Sequence, residues 1–347
     1  MWDIVHHAAS HLVKRSKDVD FRAYMASDNG DQPPLFKGPT GARFTILVLT
    51  VLFGFTFVGL LQYTFKLLLT LTVVEEPPAV YLQDTEALNA TPKPHLTRPE
   101  ADRVFITSSI RGTLRHLRRE AGIWSPWRGL GPHIVFALAN IFARAIIISI
   151  LETIMPLRLA VMIGGIASMV PLSRLALVCT HIMISAPQAT RWWTRYQKTP
   201  WDQAKKTIPA VLIWAVALQL VAELSIEATK KDISSVIRIT IFCTDILLYI
   251  LIAIPATIIL VRVQASLLSD DIATIVPFDK TFGQDTSDTD GFLTVQKAIN
   301  SINCAVFKRV CIFLVKSVPV LIATSSIIVV LCVMMFYSWL PSEPSSQ

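Results

Sequence analysis

Charge is scarce in this chain, because only 16% of its 347 residues are Asp, Glu, Lys or Arg while 52% are hydrophobic. An ordinary soluble domain carries about 25% charged residues, since its surface has to stay polar. The mean hydropathy of +0.52 agrees with this imbalance. The composition therefore excludes an ordinary soluble domain and predicts one integral membrane domain.

The sequence also lacks the motifs of common enzymes. It has no Gly-x-Ser-x-Gly, no His-Glu-x-x-His, no paired Asp-rich prenyl-diphosphate motif and no P-loop. Its five cysteines are scattered, without a Cys-x-x-Cys or a cluster of histidines, so we expect them to be small core residues. We therefore expect no enzyme, no metal site and no cofactor.

A cleaved signal peptide is not expected at the N-terminus. Residues 1–43 lack an apolar stretch ahead of a small-residue cleavage site, and they contain five aspartates, whereas transit peptides are poor in acidic residues. We predict a polar, amphipathic segment over 1–43, a membrane domain over 44–340 and a C-terminal tail over 341–347.

Long apolar runs make up most of the membrane domain. A helix crosses the hydrocarbon core of a bilayer with roughly 20 apolar residues. Five runs reach that length, at 44–74, 133–155, 207–226, 236–261 and 310–340. A sixth candidate, 157–185, is less lipid-like because it contains Arg174 and His181. The fold class is therefore an all-α membrane protein with about six transmembrane helices.

Loop lengths alternate, which predicts that the long loops 75–130, 186–206 and 268–308 lie on one side of the membrane. The first two are rich in Lys and Arg, so this side should face the compartment from which the protein inserts. A net charge of +7 fits anionic lipid headgroups better than nucleic acid, and we expect no nucleic-acid partner.

A short amphipathic helix is predicted within the first long loop, over 108–120. Ile110, Leu114 and Leu117 recur at helical spacing among arginines, as in helices that lie in the membrane interface. Its basic face would contact phosphate headgroups or, alternatively, only solvent.

Three helix pairs joined by long loops imply a threefold internal repeat. The repeats would cover 44–155, 157–228 and 236–340, with the middle one shortened.

Residues Glu120–Pro132 resemble the loop motif of the mitochondrial carrier family, in which an acidic residue and a glycine are followed by a second glycine seven residues later, after an aromatic residue and an arginine. Gly122, Trp127, Arg128 and Gly129 match this motif. The two glycines would let the chain leave the surface helix and turn into the next span, while tryptophan suits the headgroup layer.

Carriers also end their odd-numbered helices with a proline, two opposite charges, an arginine and a glutamine. Pro255, Arg262 and Gln264 fit that spacing in the fifth run, so the resemblance makes them hinge or gate residues. Thr257 and Leu260 stand where the two gate charges belong. A proline and an interfacial arginine also occur in membrane helices for structural reasons alone.

The chain is also similar to uncharacterised fungal multi-pass proteins, some of which bear the label "ubiquitin carrier". The similarity rests on the segments 180–185, Thr-His-Ile-Met-Ile-Ser, and 275–283, Ile-Val-Pro-Phe-Asp-Lys-Thr-Phe-Gly. The residues do not support the label, since the His-Pro-Asn motif of a conjugating enzyme is missing. In the second segment, Asp279 is expected to cap a turn by accepting backbone hydrogen bonds.

Charges inside membrane spans are costly and are therefore functional candidates. Arg144, Arg174 and Lys316, together with His181, would line a path that favours an anionic solute. The alternative is structural: Asp245 would pair with one of the arginines, and His181 would be a hydrogen-bonded core residue. Lys66 would then extend to the interface.

The resemblance to carriers implies transport of a small, anionic metabolite by alternating access, and a location in a mitochondrial membrane. The alternative is a non-transporting scaffold or docking protein with a degenerate carrier fold, because the gate charges are missing. The expected partners are the lipid bilayer with its anionic headgroups and either a small solute or another membrane protein.

Overall fold

The computed structural model describes residues 41–76, 105–228, 234–285 and 291–337. Most of the predicted segment 1–43 and the tail 341–347 lie outside the described residues. The regular structure within the described residues is helical, with no strand longer than an isolated bridge between Ser185 and Thr274. The eleven α-helices are α1 (Gly41–Val74), α2 (Ile110–Ala121), α3 (Leu130–Leu151), α4 (Leu157–Ala167), α5 (Ser173–Ile184), α6 (Trp192–Lys198), α7 (Trp201–Ala228), α8 (Ser235–Leu248), α9 (Ile254–Ser266), α10 (Val295–Asn300) and α11 (Cys304–Tyr337).

Five segments are long and apolar enough to cross a membrane, and they confirm five of the predicted runs. They are Thr45–Val74, Ser125–Leu151, Trp201–Ile226, Val236–Ser266 and Cys304–Met335. Large apolar side chains point outward from them, including Phe53 (72% exposed), Ile146 (61%) and Val315 (73%). Apolar surface this extensive is unfavourable in water, which supports a multi-pass membrane protein.

The sixth candidate run forms two short helices instead of one. α4 and α5 have 11 and 12 residues, about 17 and 18 Å at 1.5 Å per residue, so neither could span a bilayer alone. Pro171 lies between them, where its missing N–H and its ring disfavour a continuous helix. α4 packs against α3 and α7. Just after α5, Ser185 and Ala186 accept hydrogen bonds from Arg128, which lies two residues before the start of α3. The pair therefore returns the chain to the end of the bundle where α3 begins.

The predicted run 236–261 also differs from a simple lipid-facing span. A π-helical turn over Tyr249–Ala253 separates α8 from α9, just before Pro255, whose missing N–H cannot continue the α-helical hydrogen bonding. α8 is largely exposed, whereas eleven of the thirteen residues of α9 are buried. The second half of this run is therefore apolar because it lies inside the protein.

Buried side chains collect at one end of the bundle, which we call the packed end. It comprises the last three turns of α1, all of α5 and α9, the loop over 267–285 and the first turns of α11. α1, α5 and α9 contact one another there, and α1 also packs along α11, so the first and last helices close the bundle. Leu117 of α2 is fully buried in the same core.

Each long loop carries a short helix, namely α2, α6 and α10. The amphipathic helix predicted over 108–120 is confirmed as α2, capped by the hydroxyl of Ser109, which accepts from the N–H of Gly112. Its apolar face packs against the protein core through Leu114 and Leu117. Only its arginine face is free to contact headgroups, so α2 does not insert an apolar face into lipid.

Candidate functional site

The glycine motif after α2 makes two turns, as predicted. Gly122 has φ 78° and ψ −177° at the end of α2, a region that only glycine adopts readily. Gly129 has φ 78° and ψ 8° immediately before α3. Between them, Trp124 and Trp127 are 73% and 39% exposed, with ring centroids 5.3 Å apart. The motif thus directs the chain from the loop helix into α3 with two indole rings at the surface.

Arg128 joins the start of α3 to the end of α5. Its Nη2 donates to the carbonyl oxygen of Ala186 at 2.9 Å and to Ser185 Oγ at 3.4 Å. The hydroxyl of Tyr63, in α1, donates to the carbonyl oxygen of Arg128. Three segments that are distant in sequence are therefore fixed to one another at this point.

The segments 180–185 and 275–283 lie against each other. The N–H of Ile275 donates to the carbonyl oxygen of Ile184 at 2.9 Å, and the N–H of Ala186 donates to that of Ala273 at 2.6 Å. His116 of α2 adds a hydrogen bond between its Nε2 and the carbonyl oxygen of Ile275, at 3.0 Å. Both segments thus take part in closing the packed end.

The loop over 277–283 forms the predicted turn. Asp279 Oδ1 accepts from the N–H of Thr281 at 3.1 Å, which confirms its expected capping role. The N–H of Asp279 donates to Glu76 Oε2 at 3.1 Å, and the N–H of Glu76 donates to the carbonyl oxygen of Pro277, also at 3.1 Å. This turn is therefore held directly on the chain that leaves α1.

Burial raises the pKa of the Glu76 carboxyl, although the N–H of Asp279 and the charge of Arg262 oppose this shift. A raised pKa means that the folded protein favours the protonated Glu76 carboxyl. The stability gained from binding this proton is present in acid and is lost as the pH rises through the pKa of the folded state. Glu76→Gln keeps an acceptor for Asp279 and removes the charge. We expect its Tm to exceed that of the wild type by a few degrees near pH 8 and to match it near pH 4.

Thermal unfolding across that pH range, in one detergent, measures this difference. Glu120→Gln is the control, because Glu120 is exposed on α2. A gap that is the same at every pH would contradict the prediction.

Gln264 and Arg262 of α9 are both buried and hydrogen-bonded to neighbouring elements. Gln264 Oε1 accepts from the hydroxyl of Thr180 at 2.6 Å, and its backbone oxygen lies 2.8 Å from His181 Nε2. Arg262 Nη1 donates to both the carbonyl oxygen and the hydroxyl of Ser301, each at 2.7 Å. Gln264 therefore attaches α9 to α5, and Arg262 attaches it to the segment that precedes α11.

The four residues predicted to line a solute path lie in different surroundings. Arg174 Nη2 donates to the carbonyl oxygen of Tyr196 at 2.7 Å, and its guanidinium lies over the rings of Tyr196 and Trp201, so it holds α6 in place. His181 is bonded to α9, as the structural alternative predicted. Arg144 is half-buried, Lys316 is exposed, and neither has a hydrogen bond or ion pair with any described residue. No hydrogen bond or ion pair joins two of these four residues.

Asp245 pairs with neither Arg144 nor Arg174, contrary to the structural alternative. Its Oδ2 accepts from the hydroxyl of Ser225 at 2.8 Å. Ser225 lies in α7 and Asp245 in α8, and these consecutive helices pack together. The packing of α7 against α8 thus makes the Ser225 hydroxyl the hydrogen-bond donor to Asp245.

Lys66 has a partner within the bundle that the sequence did not indicate. Its Nζ lies 3.5 Å from His133 Nδ1, on α3, and 5.9 Å from the centre of the Phe136 ring. The His133 ring also contacts Tyr63, with centroids 5.1 Å apart. No described carboxylate pairs with Lys66, so its amino group lies between α1 and α3 without an acidic partner.

A cavity of about 290 Å³ lies beside His181, between α5, α6, the start of α7 and the loop after α9. We call it the α6 cavity. Arg195 and Lys198 line it together with Gln188 and Gln203. The sequence marked both cations only as loop charges, because the residues around them come from four separate segments.

Comparison with protein-family models, with curated proteins and with solved structures gives no match to this chain. Its function therefore has to be argued from the chemistry of these sites.

Proposed function

We propose that the protein moves a small anion across a membrane by alternating access, in a bundle arranged like that of the mitochondrial carriers. The arrangement is supported by the contact of α1 with α11, by the short helix in each long loop, and by the meeting of α1, α5 and α9 at the packed end. A mitochondrial location is part of the same proposal and rests on the sequence resemblance.

The observation that carries this proposal is positive charge without counter-ions inside the spans. Lys66, Arg144 and Lys316 form no ion pair with any described residue, and the carboxylate of Asp245 is bonded to a serine. A charge in a bilayer is retained at a cost and marks a path for ions or solutes by default. Cations that no carboxylate neutralises favour an anionic solute over a cationic one.

The test is uptake into proteoliposomes of inorganic phosphate, a dicarboxylate and a nucleotide. Lys66→Gln and Arg144→Gln are each expected to lower uptake of the transported anion about 10-fold, since each removes a charge worth at least 1.4 kcal/mol in binding it. Arg144 is a better probe than Arg174, whose loss would also release α6.

Lys205→Gln is the matched control, because Lys205 is exposed and pairs with Asp202 at 3.2 Å. Uptake that equals that of protein-free liposomes, or that survives both substitutions, would contradict the proposal.

A membrane scaffold is the second candidate, and one observation favours it. The contacts between α5 and α9 are neutral hydrogen bonds inside an apolar core, and no ion pair joins α1, α5 and α9 within the described residues. Opening the packed end would expose buried apolar surface, which costs a free energy of about 25 cal/mol for each Å² exposed. A folded protein that moves none of the three anions would indicate the scaffold.

A further inference from the structure

The α6 cavity has a volume of about 290 Å³, and the charged side chains of its lining are all of one sign. Thirteen residues line it, and none of them is Asp or Glu. Arg195 and Lys198 contribute positive charge, while Thr190, Thr194 and Gln203 contribute hydroxyl and amide groups. Such a lining is suited to an anion with several acceptor atoms.

Arg195 is held rigidly by neutral partners. Its Nη1 donates to Ser185 Oγ at 3.1 Å, its Nε donates to Thr190 Oγ1 at 3.3 Å, and its Nη2 donates to Gln188 Oε1. These bonds use three of the five guanidinium N–H groups, so two remain for a ligand. Burial lowers the pKa of Arg195, as expected for a charge that is desolvated without a counter-ion.

A second guanidinium reaches the same serine. Arg128 Nη2 lies 3.4 Å from Ser185 Oγ, so Arg128 and Arg195 donate to one hydroxyl with no carboxylate between them among the described residues. Lys198 adds a third positive charge and forms no hydrogen bond or ion pair within the described residues. Three cations close together, with no ion pair to a described carboxylate, create a strongly positive potential at this site.

We propose that the α6 cavity binds a phosphate group. A phosphate presents tetrahedral oxygens and close to two negative charges, and it can therefore use donors from several directions at once. The donors here come from α6, from the loop before it and from the start of α7. A planar carboxylate would leave part of this set unused.

The phosphate could belong to a soluble molecule or to a phospholipid headgroup. A volume of about 290 Å³ admits either inorganic phosphate or a small headgroup. Trp193 and Trp201 near the cavity are 51% and 46% exposed, and exposed tryptophans suit the headgroup layer. The site does not depend on the transport proposal, since neither Lys66 nor Arg144 lines it.

Binding is measured by calorimetry on the full chain in two forms. In one, inorganic phosphate is added to protein in a maltoside detergent, which carries no phosphate. In the other, protein in nanodiscs made of a phosphate-free galactolipid receives a short-chain phosphatidic acid. Lys198→Gln is the main variant, because Lys198 is exposed and its loss should not affect folding, and Arg195→Gln is the second.

Lys198→Gln is expected to weaken binding about 10-fold, as for loss of one charged hydrogen bond. Arg191→Gln removes a charge from the same loop outside the cavity and should leave binding within about twofold. Binding of inorganic phosphate with this pattern assigns a soluble ligand, and the pattern with phosphatidic acid alone assigns a headgroup. No binding of either probe, or equal losses in Lys198→Gln and Arg191→Gln, would overturn the proposal, while the uptake assay reports on transport separately.

Discussion

Gly129→Ala is expected to destabilise the protein by about 2–5 kcal/mol, more than any other single-methyl change described here. Its φ of 78° costs an L-residue about 1–2 kcal/mol. A Cβ at this position would also lie 2.9 Å from the hydroxyl oxygen of Tyr63 and 3.0 Å from Cγ2 of Ile182. Tyr63 is buried and its hydroxyl is bonded to the carbonyl of Arg128, so it cannot move away without losing that bond. Overpacking of this kind adds about 1–3 kcal/mol.

Gly283→Ala separates the two contributions. Gly283 has φ 71°, but a Cβ there would meet nothing within 4 Å, so only the backbone cost of about 1–2 kcal/mol applies. Chemical unfolding of both variants in the same detergent gives the comparison. Equal losses would show that the contact with Tyr63 is unimportant.

A double-mutant cycle then identifies the contact itself. Tyr63→Phe removes the hydroxyl that the new methyl would touch and should cost about 1 kcal/mol alone. The double variant, Tyr63→Phe with Gly129→Ala, should lose less unfolding free energy than the two single variants lose in sum. The reason is that removal of the hydroxyl relieves the clash made by the new methyl group.

Local chain geometry was predictable because it depends on neighbouring residues. Glycines after a helix and before the next one indicated the turns at Gly122 and Gly129, and an aspartate after Pro-Phe indicated the cap at Asp279. The apolar runs likewise predicted five long helices, since length and hydropathy alone decide whether a helix can cross a bilayer.

Burial and partner choice were not predictable in the same way. Hydropathy is equally high for a lipid-facing helix and for a helix inside the protein, so α8 and α9 appeared as one run although only α9 is buried. Contacts across long sequence separations left no local signal: Arg309 Nη2 donates to the carbonyl oxygen of Glu75, 234 residues away. The α6 cavity was hidden for the same reason, because four segments form it.

Arg262→Ala is expected to destabilise the protein by about 3–5 kcal/mol. The side chain is 2% exposed, its guanidinium lies 4.7 Å from the centre of the Phe282 ring, and its Nη1 is bonded twice to Ser301. Truncation leaves a large cavity and takes away a hydrogen-bond donor from the buried carbonyl of Ser301, which adds about 1–3 kcal/mol.

Arg262→Met is the informative second variant. It retains most of the side-chain volume and removes a buried charge, which Glu76 attracts electrostatically but with which no described carboxylate forms an ion pair. Replacement of a buried charge by an apolar side chain of similar size can be neutral, so the loss should be only about 1–2 kcal/mol, mainly from Ser301. Arg115→Met, on the exposed face of α2, controls for removal of a positive charge. A loss in Arg262→Met as large as in Arg262→Ala would show that the charge, and not the volume, holds α9 in place.

The same pair of variants tests whether Arg262 belongs to a moving gate, as its resemblance to the carrier motif suggests. A gate residue changes partners between two states, so Arg262→Met would alter anion uptake while the Tm stayed close to that of the wild type. The hydrogen bonds to Ser301 favour the opposite result, because they join α9 to the segment before α11 inside a closed core. We expect a lower Tm and unchanged uptake per folded molecule, with Arg262 acting as a fixed link between two elements of the packed end.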